Sequence, residues 1–371
     1  MRLVFLTWRD STHPDGGGSE VFVEEVAREL VRRGHDVILR CARHPGSAAQ
    51  EDLDGVRTVR RGGRLTVYLR ALAWLATRGR RYDVVVDVIN GLPFGSPLVR
   101  RRGVVALVHH THDRQWKIIY PGVRGRIGWA IEHRLTPFLY RRVPHLTVSE
   151  ASRADLVRIG VPPERITVVR NGVDGAPTGA ARSATPRIAV LSRLVPHKQV
   201  EDAFHVVERL GEEIPDLHLD VIGDGWWRDR LEEDLRARGC ADRVTLHGHV
   251  PADVRDRLMA EAWLMLLPSV KEGWGLAVME AAVQGTPTIA YHSAGGVRES
   301  IVDGETGVLV ADREEMVEVV RALVTDGERR ERLGDAARRR SGRFTWPRAT
   351  DIVETVVESV VERSGRGARR P

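Results

Sequence analysis

The sequence predicts an α/β protein with two domains, each built on a parallel sheet. Short apolar runs of strand length alternate with segments of helical periodicity, and this alternation occurs twice along the 371 residues. The two halves are separated by a stretch rich in Gly, Pro, Ser and Ala at 171–186. A chain of this length also exceeds the usual size of a single domain. In folds of this class, ligands bind beyond the carboxyl ends of the strands.

Each element follows from its own pattern. The apolar runs predict strands at 3–7, 37–41, 84–88, 104–109 and 146–149 in the first half, and at 187–192, 217–223, 244–247, 263–268 and 286–291 in the second. A segment closed by Gly34 predicts a helix at 21–34, and the Trp-Pro pair at 346–347 precedes a last helix at 348–362. The remaining residues, 363–371, are expected to form a disordered tail.

The charge of the chain is divided unevenly. Residues 1–175 hold 29 basic and 18 acidic side chains, a net charge of +11, and the remainder has a net charge of −5. The basic half therefore favours an anionic partner such as a phospholipid surface or a phosphorylated acceptor. Its densest part, 60–81, has Leu65, Leu69, Leu72 and Leu75 on one predicted helix side with Arg at both ends, which suits peripheral membrane contact. A helix between two strands of a parallel sheet gives the same pattern.

Several functional classes are not indicated. No run of 18 apolar residues is present, and the first residues are too soon polar for a signal peptide, so a cytoplasmic location is predicted. Cys41 and Cys240 are far apart in sequence, which does not suggest a disulfide bond or a metal site. Phosphate-loop, zinc-protease and nucleophile-elbow motifs are absent from the sequence.

The segment 271–300 joins two carboxylates to a glycine turn. Glu272 and Glu280 lie eight residues apart around Gly-Trp-Gly, and 276–284 suits a helix closed by Gly285. Because the segment follows an apolar run, the turn is expected at the carboxyl end of a strand and at a helix amino end, where anions bind. A diphosphate could bind the amides near Gly275 while the two carboxylates accept hydrogen bonds from neighbouring hydroxyl groups. A ligand with both kinds of group is a sugar nucleotide. An acidic loop that only caps the helix is the alternative.

The chain resembles the retaining glycosyltransferases of family 4 over nearly its whole length. The resemblance rests on GGGSE at 16–20, HHTH at 109–112, NGVD at 171–174, SRLVPHK at 192–198, GDG at 223–225 and the paired-glutamate motif EGWGLAVME at 272–280. It implies the GT-B fold, with two facing Rossmann-like domains and a C-terminal helix that crosses back to the first. The implied layout is an acceptor-binding domain at 1–172, a linker at 173–186, a nucleotide-sugar-binding domain at 187–343, the crossover helix at 344–362 and a basic tail at 363–371.

The same resemblance implies roles for individual residues. Arg193 and Lys198 would hold the donor diphosphate and stabilise the negative charge that grows on it when the sugar leaves. Glu272 would hold hydroxyls of the transferred sugar, and Glu280 would hold the ribose hydroxyls. The remaining donor contacts would come from Gly17, Gly18, Gly248, His249, Gly273, Trp274, Gly275 and Leu276. The role of Trp226 and Trp227, which follow the GDG segment, is not decided by the sequence.

One histidine of the cluster at 109–112 would lie by the anomeric centre. His110 is the preferred catalytic residue, together with Glu272, Arg193 and Lys198, but a shift of one residue would place His109 there, and His112 is a further alternative. His109, His112 and Asn171 are otherwise expected near the acceptor or the cleft. Three histidines and Asp113 could also bind a metal ion. Consecutive residues of a strand point to opposite faces, so no metal site is predicted.

The resulting prediction is a retaining hexosyltransferase that uses a UDP- or GDP-sugar. The acceptor would be a hydroxyl of a glycan, a lipid-linked molecule or a small molecule, and same-face transfer would need no metal or other cofactor. Two alternatives stay open: a sugar-nucleotide epimerase of the same fold, and a noncatalytic protein that binds polyanions or membranes. No nucleic-acid partner is predicted. The nucleotide base, the sugar and the acceptor are not determined by the sequence.

Overall fold

The computed structural model describes residues 1–112, 116, 120, 122–175 and 178–366. These residues form two compact units. Unit 1 comprises Met1–Gly172 and the helix that begins at Trp346, whereas unit 2 comprises Val173–Thr345. Asp113 lies outside the described residues.

The sheet of unit 1 has eight strands in the order β3-β4-β2-β1-β5-β6-β7-β8 across the described residues. The strands are β1 Arg2–Leu6, β2 Asp36–Cys41, β3 Gln50–Leu53, β4 Val56–Arg60, β5 Val84–Val88, β6 Val104–Val108, β7 His145–Thr147 and β8 Ile166–Val168. Every pair of neighbours is parallel except β3 and β4. The central strands β5 and β6 are buried along their whole length, as expected for parallel strands covered on both faces.

Helices cover this sheet. They are α1 Gly18–Arg32, α2 Thr66–Arg78, α3 Val123–Ala130, α4 Thr136–Tyr140 and α5 Glu150–Arg158. A π-helical segment, Ile131–Leu135, joins α3 to α4 without a break. π-Helical segments occur often at functional sites, and this one contains the buried Glu132.

Unit 2 contains a second parallel sheet in the order β11-β10-β9-β12-β13-β14. Its strands are β9 Arg187–Leu191, β10 His218–Ile222, β11 Val244–Gly248, β12 Leu264–Leu267, β13 Thr288–Tyr291 and β14 Gly307–Val310. Its helices are α6 Val200–Leu210, α7 Arg228–Arg238, α8 Ala252–Glu261, α9 Leu276–Val283, α10 Val297–Ser300, α11 Arg313–Thr325 and α12 Gly327–Ser341. The two parallel sheets with their helices confirm the predicted fold class.

The last helix, α13 Trp346–Arg366, follows unit 2 in sequence but packs on α1 of unit 1. Its buried stripe, Ala349, Val353, Val357 and Val360, has the spacing of one helix face. Arg33 also donates to Glu354 Oε2 at 2.6 Å, and Glu354 Oε1 lies 2.7 Å from His35 Nε2. The helix begins at Trp346, two residues before the predicted start at 348 and inside the predicted crossover segment 344–362, and continues four residues beyond 362. The rest of the predicted tail, 367–371, lies outside the described residues.

Some elements differ from the sequence prediction. The strands β3, β4, β8 and β14 were not predicted, since they are short and two of them, β3 and β4, are rich in polar residues. Pairing with a neighbouring strand stabilises such segments, and a single-sequence pattern does not show that pairing. The helix α1 begins at Gly18 instead of residue 21, because Gly17 serves as its N-cap.

The four leucines predicted on one side of α2 do not share one environment, since Leu75 is buried and Leu72 is half-buried. The buried side of this helix consists of Val67, Ala71 and Leu75, whereas Leu65 and Leu69 are 70% and 72% exposed. The buried positions are four residues apart, as expected for one helix face. Positions 65 and 69 lie on nearly the opposite side of the helix. A prediction based on leucines alone therefore missed the buried side, because two of its three residues are the smaller Val67 and Ala71.

The segment expected as a linker is held against unit 2 from residue 178 onward. Arg182 donates to the carbonyl oxygen of Ala260 at 2.9 Å and to Thr286 Oγ1 at 2.6 Å. Trp263 Nε1 donates to the Ser183 carbonyl at 2.8 Å, and the Thr178 amide donates to Gln284 at 2.9 Å. Its composition is typical of a linker, but these side-chain bonds fix its course. Residues 176 and 177 lie outside the described residues.

Candidate functional site

The two loops that hold Lys198 and Glu272 meet at the carboxyl edge of the unit 2 sheet. Lys198 ends a short 3₁₀ turn after β9, and Glu272 follows β12. Because β9 and β12 are neighbouring parallel strands, their following loops lie side by side. Lys198 Nζ donates to Glu272 Oε1 at 2.5 Å, and the two side chains are 14% and 13% exposed. A cation and a carboxylate thus occupy the position where this fold class binds ligands.

Main-chain hydrogen bonds fix the Glu272 loop. The Glu272 amide donates to the Ala294 carbonyl at 2.8 Å, and the Gly296 amide donates to the Glu272 carbonyl at 3.1 Å. The Val270 amide donates to the His197 carbonyl at 2.9 Å, which ties this loop to the turn that ends at Lys198. The position of the Lys198–Glu272 pair is therefore fixed by hydrogen bonds among three loops, which follow β9, β12 and β13.

The turn before α9 presents amide groups to a ligand. Gly275 is the N-cap of the helix with a φ of +88°, a conformation that suits glycine. The amides of the first turn of any helix lack intrahelical acceptors, and the helix dipole favours anions there. Trp274 contributes no exposed side chain, since its ring is 2% exposed and packs on Phe344 with centroids 5.0 Å apart. A contact between Trp274 and a donor would therefore involve its main chain.

Glu280 lies within α9 and pairs with a residue that the sequence did not single out. Arg255 Nη1, from α8, donates to Glu280 Oε1 at 2.6 Å. Burial raises the pKa of Glu280, and the nearby Asp256 and Asp174 add to this rise, while Arg255 opposes it. Arg255 is one of many arginines in the chain, and nothing in its local sequence distinguishes it.

The loop with Arg193 is placed by a close approach of two backbones. Gly223 has a φ of +126°, and a Cβ atom there would lie 2.0 Å from the Ser192 carbonyl oxygen. A Cβ atom on Gly225 would lie 2.3 Å from the Leu194 carbonyl oxygen. The loop that follows β9 therefore leaves no room for a side chain at either glycine of the GDG segment. Arg193 lies on that loop, between Ser192 and Leu194.

The two adjacent tryptophans differ in their surroundings. Trp227 Nε1 donates to Glu201 Oε1 at 2.6 Å, which joins α6 to the start of α7. Trp226 is 56% exposed, and its ring meets that of Trp227 edge-on with centroids 5.4 Å apart. Trp227 is thus a packing residue, and the exposed ring belongs to Trp226.

Gly248 and His249 lie at the end of β11. The Gly223 amide donates to the Gly248 carbonyl at 2.9 Å, so Gly248 contacts the GDG segment, while His249 is exposed. Arg228, which the sequence analysis did not select, donates to the Leu246 carbonyl at 3.3 Å. A Cβ atom on Gly248 would lie 3.1 Å from Arg228 Nη1, so this guanidinium borders the predicted base position.

In unit 1, the predicted glycine loop leads into α1. The Gly17 amide donates to Glu20 Oε2 at 2.8 Å, and Glu20, 2% exposed, pairs with Arg9 at 3.0 Å. Gly18 is the first residue of the helix. A phosphate that used the Gly17 amide would have to displace the Glu20 carboxylate, which the sequence analysis did not consider.

The histidines of unit 1 are not equivalent. His109 is 5% exposed, and its ring packs edge-on against Phe22 with centroids 5.2 Å apart. Burial lowers the pKa of His109 to about 4, so the ring is neutral and lies in the core. Its expected place near the acceptor or the cleft stays a prediction, since His109 directly follows β6 at the carboxyl end of that strand. His110 and His112 are half-buried, with ring centroids 4.6 Å apart.

Glu132 orients His112. The carboxylate of Glu132 lies 2.9 Å from His112 Nδ1, and it accepts from the His112 amide at 3.0 Å and from Trp116 Nε1 at 2.7 Å. Burial opposes ionisation of Glu132, but His112 and these hydrogen bonds hold its pKa below the ordinary value. No local motif marks Glu132, because its partners come from another loop.

Two further expectations concern Asn171 and a metal ion. Asn171 is 4% exposed, and its Oδ1 atom is buried without a hydrogen-bond partner among the described residues. Across the same part of the chain, no three side chains of His, Cys, Asp or Glu are grouped as metal ligands.

Comparisons with known proteins identify the family. The description "Glycosyl transferases group 1" matches residues 179–340, and "Glycosyltransferase Family 4" matches residues 16–176. The MMP alpha-(1->4)-mannosyltransferase of Mycolicibacterium hassiacum is 30% identical over 98% of this chain and 99% of its own length. The chain is a family 4 glycosyltransferase. Its family membership and its enzyme class, both predicted from the motifs, are thereby confirmed.

This glycosyltransferase is also similar to a second named relative and to two solved structures. The D-inositol 3-phosphate glycosyltransferase of Thermobispora bispora is 29% identical over 95% of the chain and 92% of the relative. Among solved structures, sucrose-phosphate synthase of Thermosynechococcus elongatus has a TM-score of 0.83 at 20% identity, covering 98% of this chain and 99% of that one. Anabaena HepE in complex with UDP and glucose has a TM-score of 0.76 at 18% identity, with 97% and 100% covered. These structures establish the GT-B fold class.

The glycosyltransferase has no helix, among those described, that combines the length and the apolar character needed to span a bilayer.

Proposed function

We propose that this glycosyltransferase transfers a hexose from a UDP- or GDP-sugar to an acceptor hydroxyl with retention of anomeric configuration. The observation that carries the proposal is the Lys198–Glu272 pair, with Nζ and Oε1 2.5 Å apart beside the amino end of α9. It joins a cation suited to the diphosphate to a carboxylate suited to sugar hydroxyls. The relatives include a GDP-mannose-dependent mannosyltransferase, which supports GDP-mannose as one of the donors to test.

The chemistry follows from the residues of unit 2. Lys198, Arg193 and the amides around Gly275 would stabilise the charge that develops on the leaving diphosphate. The bond from the anomeric carbon to the diphosphate oxygen breaks, and a bond from that carbon to the acceptor oxygen forms on the same face. The acceptor proton goes to the departing diphosphate oxygen. These cations supply the charge stabilisation, so we propose transfer without a divalent metal.

The carboxylates position the donor in this proposal. Glu272 would exchange its bond with Lys198 for bonds to sugar hydroxyls, and Glu280 would accept from the ribose hydroxyls beside Arg255. In unit 1, we assign His110 to the transfer step and not to donor binding. His110→Ala should therefore lower kcat with little change in donor affinity, and unchanged turnover would exclude this assignment.

The acceptor class is supported by charge and by relatives. Residues 1–175, nearly all of which belong to unit 1, have a net charge of +11, and one relative is named D-inositol 3-phosphate glycosyltransferase. We propose an acceptor that bears phosphate or a polyol, either soluble or attached to a lipid. Exposed Leu69 on α2 and Leu65, which directly precedes that helix, further support peripheral contact of unit 1 with an anionic membrane. Leu65→Ser with Leu69→Ser should then reduce sedimentation with anionic vesicles, and unchanged sedimentation would exclude this surface.

Calorimetric titration with UDP-, GDP- and ADP-sugars in EDTA tests the donor and the metal together. We expect selective binding of one base and transfer to inositol phosphate or a related acceptor in the same buffer. The anomeric proton coupling of the product, measured by NMR, decides between retention and inversion. Binding that requires added Mg²⁺, or an inverted product, would contradict the proposal. Interconversion of the sugar without an acceptor would indicate an epimerase.

A further inference from the structure

Unit 1 contains a cavity of about 300 Å³ on the side of its sheet next to α2. This volume is at the lower end of the roughly 300–1,000 Å³ usual for ligand pockets. The lining includes the side chains of five arginines, Arg40, Arg57, Arg61, Arg78 and Arg81. We call this cavity with its five arginines the arginine pocket.

The fold gathers these arginines from separate elements. Arg40 is in β2, Arg57 is in β4, and Arg61 directly follows β4. Residues two apart along a strand point to the same face, so the side chains at 57, 59 and 61 share one side of the sheet. Arg78 ends α2, and Arg81 lies in the turn that follows it. The pocket is thus lined by residues of β2 and β4 and by the end of α2.

No acidic side chain in the described part of the chain neutralises the positive charge of the pocket. Among the described residues, none of its five arginines forms an ion pair with Asp or Glu, and none donates a side-chain hydrogen bond. The neighbouring Arg60 behaves differently, since it is 1% exposed and pairs with both Asp10 and Glu51. Asp52 lies opposite Arg57 across β3 and β4, but its carboxylate accepts from the Gly55 amide at 2.8 Å.

Arg40 and Trp74 both line the pocket. The guanidinium carbon of Arg40 lies 4.0 Å from the centre of the Trp74 ring, and its Nε atom is buried without a hydrogen-bond partner. Burial lowers the pKa of Arg40 to about 10, and the facing Arg61 and Arg78 add to this decrease. The group is still charged at neutral pH, so a stacked, partly dehydrated cation faces further cations. Such a charge is stabilised when an anion supplies the missing acceptor.

We propose that the arginine pocket binds a compact polyanion with at least two neighbouring phosphate groups. Guanidinium groups pair with phosphate oxygens through two parallel hydrogen bonds, and five of them exceed what one phosphate monoester can engage. A soluble oligophosphate and a lipid headgroup with two phosphates share this chemistry. The site differs from the proposed donor site, whose diphosphate-binding residues Arg193 and Lys198 belong to unit 2. The proposal does not depend on the transferase reaction.

The test is calorimetric titration of the full chain with inorganic tripolyphosphate. The double variant Arg61→Gln/Arg78→Gln removes two exposed pocket cations, and Arg101→Gln/Arg126→Gln removes the same charge at exposed positions outside the pocket. We expect affinity at least 10-fold weaker in the pocket variant and within about twofold of wild type in the control. Both variants change exposed residues, and far-ultraviolet circular dichroism checks that they fold.

The Lys198→Met variant separates the pocket from the donor site. Pocket binding of tripolyphosphate should survive in this variant. Loss of all binding in Lys198→Met, an equal loss in the pocket and control variants, or no saturable binding to wild type would overturn the proposal. Sedimentation with phosphatidylcholine vesicles that contain cardiolipin distinguishes the sources. If Arg61→Gln/Arg78→Gln reduces sedimentation with these vesicles, the ligand is a lipid headgroup. If this variant weakens only the binding of tripolyphosphate, the ligand is soluble.

Discussion

The substitution Lys198→Met tests the donor site most directly. Lys198 Nζ lies 2.5 Å from Glu272 Oε1, and both side chains are largely removed from solvent, with 14% and 13% exposed. The variant removes the cation but keeps much of the aliphatic side chain. It leaves the Glu272 carboxylate without its counter-charge at the place where the diphosphate is expected, so the two anions repel one another.

The expected size follows from the bond that is lost. A hydrogen bond to a charged group contributes about 1.5–3 kcal/mol. Since about 1.4 kcal/mol corresponds to a tenfold change in affinity, the nucleoside diphosphate should bind roughly 10- to 150-fold more weakly. Calorimetric titration with the nucleotide that wild type prefers measures this change.

The substitution Glu272→Gln should have a different effect, because it removes the carboxylate that pairs with Lys198. The nucleoside diphosphate should then bind at least as tightly as it binds to wild type, whereas the sugar nucleotide should bind more weakly.

Arg236→Met is the matched control, since it removes one exposed positive charge of α7 and has no side-chain partner among the described residues. Its nucleotide affinity should remain within about twofold of wild type. If Lys198→Met also stays within twofold, or if Arg236→Met loses as much, the placement of the diphosphate at Lys198 is refuted.

Two further predictions concern Glu280 and Gly223. Because burial raises the pKa of Glu280, acidification should neutralise it above the ordinary value of about 4.3, and donor affinity should fall in that range. Glu280→Gln should abolish this loss of donor affinity at acidic pH, and Arg255→Met should move the loss to higher pH. Donor titrations at several pH values measure both effects. If both variants kept the wild-type pH profile, the reasoning would be contradicted. Gly223→Ala should lower the free energy of unfolding by more than about 3 kcal/mol, because its Cβ would lie 2.0 Å from the Ser192 carbonyl oxygen and this clash adds to the strain of a positive φ. Gly239→Ala, at a φ of +69° with open space around its Cβ, should cost only about 1–2 kcal/mol in urea denaturation, and equal losses would exclude the steric argument.

The sequence by itself determined the fold class and the family. Strand-length apolar runs that alternate with helical segments predict parallel α/β units, because the two periodicities are local properties of the chain. The segment 272–280 also predicted a glycine turn before a helix, and α9 begins at Leu276 after a Gly275 with positive φ. The short strands β3 and β8 and the exposed position of Leu69 could not be predicted in this way, since neighbouring elements decide them.

The tertiary structure alone decided which side chains meet. Lys198 and Glu272 are 74 residues apart and become neighbours because β9 lies beside β12 in the sheet. Arg255 reaches Glu280 from another helix, and Glu132 reaches His112 from a π-helical segment. The arginine pocket likewise depends on the order of β2 and β4 and on where α2 ends. Strand order and helix placement result from non-local packing of many buried side chains, whereas the charged groups at the strand ends contribute little to that choice. Local sequence therefore identifies the elements, and packing determines which charges they bring together.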